Sequence, residues 1–315
     1  MKVLVIIATA MIAAGVILSA VGVAFGGFRS VHFGSGGFYM AGLPGTAGVA
    51  PVSHTFDGFD GVDVDVSFYA VTLKEGDVYG AEVKSLYARE TPEVRVADGV
   101  LTVYGDKETT ARERRGFFGR LLFLPFRFGD IDEIPTIEIT YPRGARIGGV
   151  NVKSDAGSVE IEKLTAATVS VECMAGSLEI EETTADELRV KLNAGGCEIK
   201  DTTATVATVE LDAGSFSARD FDCGALDGSF RLGDVSVKGS LRGDVNITAD
   251  MGSVFLETDL PESKYLVNTD VSLGSVTVGE RAASGGDIDM SFGDVGAPYT
   301  ISVKAAMGSV EVDFD

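Results

Sequence analysis

The sequence predicts an all-β protein: a parallel β-solenoid with coils of about 19 residues, preceded by one N-terminal transmembrane helix. Three observations carry this. A six-residue unit with glycine second recurs along the C-terminal half, as in "AGSVEI" (156–161), "AGSLEI" (175–180), "MGSVFL" (251–256) and "MGSVEV" (307–312). Apolar residues around that glycine alternate with period two, the signature of strands with one buried face. At the amino end, residues 3–25 run without a single charge.

The N-terminal element comes first in the chain. Twenty-three helical residues span about 34 Å, enough for a hydrocarbon core of about 30 Å. The run exceeds the 7–15 apolar residues usual in a signal peptide, so residues 1–27 read as a transmembrane anchor. "GVA" at 22–24 keeps a cleaved signal peptide open as the other reading. Lys2 and the amino terminus favour an N-inside orientation, with the bulk of the chain extracytoplasmic in a single-pass cell-membrane protein. Residues 28–51 are glycine-rich without clear period and read as a linker.

Residues 52–149 read as β-rich. "VDVDVSFYAVTL" (62–73) alternates, and "EVRVADGVLTVYG" (93–105) places Asp98-Gly99 between two alternating runs, a hairpin turn pair. One stretch breaks the pattern. "RERRGFFGRLLFLPFRFGD" (112–130) holds five arginines, five phenylalanines and three leucines. It reads as a flap over the end or flank of the solenoid, or as a contact loop for a membrane interface or partner, with Arg114, Arg115, Phe117, Phe118 and Arg120 as the contact residues.

The repeat fills residues 150–315. Its glycines are Gly157, Gly176, Gly195, Gly214, Gly233, Gly252, Gly274, Gly293 and Gly308, with spacings of 19, 19, 19, 19, 19, 22, 19 and 15. Two and four residues after each glycine the columns are apolar, with Val159, Leu178 and Cys197 leading the first and Ile161, Ile180 and Ile199 the second. Seven, five and three residues before it are positions of a preceding strand. Parity puts these inside, together with the residue just before the glycine (Ala156, Ala175, Ala194, Ala213, Leu232, Met251, Leu273, Phe292, Met307). Alternation then breaks at the glycine, which marks a corner of the coil. Stacked in chain order, the coils form a single-stranded β-helix about 40 Å long at about 4.8 Å per rung, right-handed by the default for parallel crossovers. In that order the last coil ends in an open rung.

Within these residues, "HTFDGFDGVDVDVSFYAVTLKEGD", "DGVLTVYGD" and "IEITYPRGARIGGVNVKSDAGSVEIEKL" resemble the bacterial putative-adhesin family of β-strand-repeat proteins, over residues 52–315. The resemblance implies a surface-exposed β-solenoid with an adhesive or envelope-associated role. It implies no catalytic residues.

Charge and composition narrow the function classes. The chain carries a net charge of −21. Residues 151–315 hold 30 Asp/Glu against 12 Lys/Arg, and residues 1–150 hold 17 against 14. An acidic half of this kind is unsuited to nucleic acid, and no nucleic-acid partner is expected. Cys173, Cys197 and Cys223 lack both disulfide and metal spacing and read as core residues. The histidines are His32 and His54, and no Ser/His/Asp or His/Cys pattern is legible. Glu160, Glu179 and Glu198 fall in one column, a solvated acidic ladder that could hold calcium weakly. The expectation is a non-enzymatic, cofactor-free, membrane-anchored module with adhesin-like contacts to cell-surface or envelope components. The alternatives are a polysaccharide-active β-helix enzyme and an envelope-sensing protein docking another membrane protein.

Overall fold

The computed structural model describes residues 31–34, 37–40, 50–85, 91–105 and 134–314. The anchor segment and the Arg/Phe-rich stretch, with Arg114, Arg115, Phe117, Phe118 and Arg120, lie outside the described residues. Among the described residues no helix is long and apolar enough to cross a membrane. The chain divides into two units, residues 1–47 with 111–133, and residues 48–110 with 134–315. Within the first, the stretch read as a linker holds a hairpin: β1 (Val31–Gly34) pairs antiparallel with β2 (Gly37–Met40). The β-forming residues of "VHF" and "GFYM" account for it.

The second unit is a stack of parallel coils. β10 (Arg146–Glu162), β11 (Thr165–Glu181) and the long β12 (Thr184–Leu232) follow one another in parallel register at an offset of 19, so Val150 faces Val169, which faces Leu188. β13 (Val235–Gly239) and β14 (Val245–Thr258) continue the stack on β12 at the same offset. Inside, the predicted columns hold: Val169, Val171, Cys173, Leu178 and Ile180 are buried, as are their counterparts in neighbouring coils. Each such side chain stacks on its equivalent above and below. That is how a 19-residue unit too small for a core of its own acquires one.

The coil turns at two corners. At the first, Gly157 through Gly252 adopt φ between 134° and 146°. A Cβ on Gly195 would stand 1.7 Å from the carbonyl oxygen of Gly176. Both the backbone angle and the close approach of the next rung therefore demand glycine. The second corner falls at Lys163, Glu182, Asp201 and Asp220, all left-handed with φ between 45° and 56°, and at Gly239. Each non-glycine residue here accepts an unfavourable conformation of about 1–2 kcal/mol. The backbone there is tied to the next rung: the Lys163 N–H donates to the Glu181 carbonyl at 3.0 Å, and the Glu182 N–H to the Lys200 carbonyl at 3.2 Å. Just beyond the corner, the buried Thr183 and Thr202 hydroxyls donate to the carbonyls of Glu181 and Lys200.

The coil order departs from chain order at the C-terminal end. After β14 the chain makes a short 3-10 turn at Glu262–Lys264 behind Pro261, then forms β15 (Tyr265–Val278). β15 pairs antiparallel with β16 (Arg281–Gly293), and β17 (Tyr299–Phe314) then returns to lie between β14 and β15. Gly252 faces Gly308, and Gly308 faces Gly274. Stacking by sequence order is therefore wrong beyond Gly252. The spacing of 22 holds the insertion that forms this 3-10 turn, whereas the spacing of 15 is not a coil length at all. Gly293 is not a member of the glycine ladder, because it faces Leu266 in the antiparallel pair. The equivalent corner in β16 is Gly285, which has φ 142° and faces Gly274. The coil of Gly308 is not open either, being paired on both sides.

The N-terminal end is built in the same way. β3 (Val52–Phe56), β4 (Gly61–Val66), β5 (Ala70–Gly76), β6 (Tyr79–Lys84), β7 (Glu93–Ala97), β8 (Val100–Tyr104) and β9 (Thr136–Pro142) complete the unit. β4 and β5 form the coil below β10, and β8 and β9 the coil below that, all parallel. Antiparallel strands then cover the stack, β7 on β8, β6 on β9 and β3 on β6. Ala97 faces Val100, so Asp98 and Gly99 make the expected two-residue turn, with φ of 52° and 78°. Both ends of the parallel stack thus finish in antiparallel pairing, with β16 outermost at one end and β3 at the other.

Candidate interaction surface

Outward side chains form rows one rung apart, and the rows define the surface. Glu160, Glu179 and Glu198 face one another in register as the sequence predicts. They do not stand as bare acids. Lys200 Nζ lies 2.7 Å from Glu179 Oε1 and 3.3 Å from Glu198 Oε2, and Arg219 reaches Glu198 at 3.3 Å. Thr72 donates to Glu160 at 3.4 Å. Among the described residues no group of three or more His, Cys, Asp or Glu side chains is arranged to hold a metal ion. Further ion pairs join adjacent rungs, including Lys153–Glu172 at 4.0 Å, Lys191–Glu210 at 3.2 Å and Lys238–Glu257 at 2.7 Å. All are exposed, so each contributes about 0–1 kcal/mol and chiefly offsets like-charge stacking.

Beside this row, Glu162 sits against Glu160, and its carboxyl is raised above the ordinary range, first by burial and then by the neighbouring carboxylate. The cysteines are buried in the core. Burial pushes the Cys173 thiol up to about 11 and the Cys223 thiol up to about 12. Such thiols are poor nucleophiles and ligands at neutral pH. His54 stacks on Phe56 with ring centroids 6.2 Å apart, part of an aromatic group with Phe59 and Tyr79 at the N-terminal end of the stack.

One row is unlike the others. Parity places the residue before each corner glycine inside, but the structure turns it out. The corner occupies four positions, so residues two before to one after the glycine all leave the core. In four successive rungs this outward position holds large apolar side chains: Leu232 is 45% exposed, Met251 42%, Met307 45% and Leu273 58%. Leu232 faces Met251, Met251 faces Met307, and Met307 faces Leu273. The crossing of β17 is what makes the row continuous. In the earlier rungs the same position holds Ala156, Ala175, Ala194 and Ala213. The change from alanine to leucine and methionine is visible in sequence, but parity hid its meaning.

A stack of this kind, with ordered outward rows and antiparallel closures at both ends, defines the second unit as a β-solenoid. Residues 60–285 match the Toastrack DUF4097 family model, and the chain belongs to that family. No curated protein matches the chain. Among solved structures, the chain is similar to a "putative adhesin" from Bacteroides fragilis, 13% identical, over 85% of this chain and 98% of that one, with a TM-score of 0.39. It is similar to a "putative cell adhesion protein" from Clostridium sporogenes at 10% identity, 84% and 99% coverage and a TM-score of 0.26. A "putative lipid binding protein" from Parabacteroides distasonis matches at 12% identity, 82% and 96% coverage and a TM-score of 0.37.

Proposed function

We propose that this chain is a non-enzymatic interaction module of the cell envelope, held at the membrane by residues 1–27 and presenting its solenoid outside the cytoplasm for adhesin-like contacts. The observation that carries the reading is the ordering of the outer face into rows one rung apart, tied by ion pairs between rungs. Rows of equivalent groups on a stiff stack favour many weak simultaneous contacts over one converging site. The uncharged run at 3–25 and Lys2 support the anchor and its orientation.

The test uses cells expressing the full chain. External protease should remove the solenoid from intact cells while a cytoplasmic marker survives, and binding of those cells to envelope-coated surfaces should fall with it. Protection of the chain in intact cells would refute the location. Cleavage of surface polysaccharides by the purified chain, abolished by acid-to-amide changes, would refute the non-enzymatic reading.

A further inference from the structure

We infer that the row Leu232–Met251–Met307–Leu273 is a docking strip for a cationic amphipathic helix of a partner protein. Ala156, Ala175, Ala194 and Ala213 occupy the same place before the same corner, so a methyl group suffices there. The large side chains lie outside the core cluster and remain 42–58% exposed in water. Four together leave about 400 Å² of apolar surface, the size at which a patch on a soluble protein is often functional.

The geometry selects the occupant. Rungs repeat at about 4.8 Å, so four rows span about 14 Å. A helix lying along the strip offers an apolar side chain each turn of about 5.4 Å, or about 16 Å over the same interval. The drift of about 2 Å lies within the reach of the two methionines, whose unbranched side chains adapt to a partner's shape. An extended segment would offer side chains on one face only every 6–7 Å and would fall out of step. After the strip stand the exposed carboxylates Asp234 and Glu311; before it stand Asp250 and Asp270 with Arg231 and Lys304, and Lys304 faces Asp270. Arg231 already pairs with Asp212 at 3.5 Å. The complement is therefore an apolar stripe flanked by lysine or arginine. A second copy would bring acidic flanks together and cover about half of the roughly 800 Å² per partner that a stable interface needs. A bilayer would have to bury the same carboxylates. The inference rests on the strip alone and not on where the chain is anchored.

The probe is a designed 18-residue Lys/Leu amphipathic helical peptide, titrated into the full chain. Binding should weaken at least tenfold in the variant Leu232→Ala/Met251→Ala/Met307→Ala/Leu273→Ala, which the four alanine rungs show to be compatible with the fold. Asp250→Asn/Asp270→Asn should weaken it several-fold and reduce its salt dependence. Circular dichroism checks that both variants remain folded. Equal affinity for the wild-type and alanine chains, or no binding at all, would overturn the inference. So would wild-type self-association, or binding to neutral phosphatidylcholine vesicles, that the alanine variant loses, since a second copy or a lipid would then be the occupant.

Discussion

Replacing Gly195 by alanine tests the stacking logic at one atom. The new Cβ would stand 1.7 Å from the Gly176 carbonyl oxygen, whereas such contacts essentially never fall under 3.0 Å. The two rungs must part locally by about 1.3 Å, which breaks the ladder hydrogen bonds around the corner. At about 1 kcal/mol for each of two bonds, added to about 1–3 kcal/mol for alanine at φ 136°, the cost is about 3–5 kcal/mol before packing is counted. Gly285 supplies the control. Its φ is 142°, yet nothing lies within 4 Å of a Cβ placed there. Gly285→Ala should therefore cost only the backbone term, about 1–3 kcal/mol. Urea unfolding followed by far-ultraviolet circular dichroism measures both. Gly195→Ala should be the less stable by at least 2 kcal/mol, with its Tm lower by roughly 4–8 °C. Equal losses would show that the backbone angle alone selects glycine and that the close approach between rungs is not what holds the corner.

Other consequences follow from buried polar groups. Tyr265 donates its buried hydroxyl to the Leu241 carbonyl and lies 2.9 Å from the Thr258 hydroxyl, so Tyr265→Phe should cost about 1–3 kcal/mol in the same unfolding assay. The Thr269 hydroxyl is buried without a hydrogen-bond partner between Val303 and the β16 neighbour Met290, so Thr269→Val should stabilise by about 1 kcal/mol. The three cysteines should resist a thiol reagent at pH 8 in the native chain and react fully in denaturant, as followed by absorbance. Glu162 has its folded pKa raised, so folding takes up a proton there: its favourable contribution is present at acid pH and lost as pH rises through the folded pKa. Glu162→Gln should accordingly raise the Tm at pH 7 and reduce the gain seen on mild acidification.

The interior was legible because stacking repeats it. Val159, Leu178 and Cys197 occupy one column in sequence and one buried ladder in space. The same uniformity made the rung order illegible. Every coil offers a neighbour the same glycine, serine and valine, so nothing in the columns distinguishes Gly274 from Gly308 as the partner of Gly252. Only the short spacing of 15 before Gly308 departs from the period because of the crossing. The second corner was missed because Lys163, Glu182, Asp201 and Asp220 are not turn glycines, although they recur every 19 residues. The apolar strip was misplaced for a narrower reason. Strict alternation puts Ala156 and Leu232 inside, but the buried face ends three residues before the glycine, at Ser154 and Phe230.

The position of β17 also fixes an order of events during synthesis. β15 and β16 leave the ribosome before β17, yet β15 rests on β17 and not on β14, and β16 rests on β15. A nascent chain that has reached Pro298 therefore carries forty residues beyond Thr258 with no finished rung to dock on. Joining residues 56 apart instead of 19 costs only about 1 kcal/mol of additional loop-closure entropy. The larger effect is temporal: β15 can take its place in the stack only after the residues of β17 have been made.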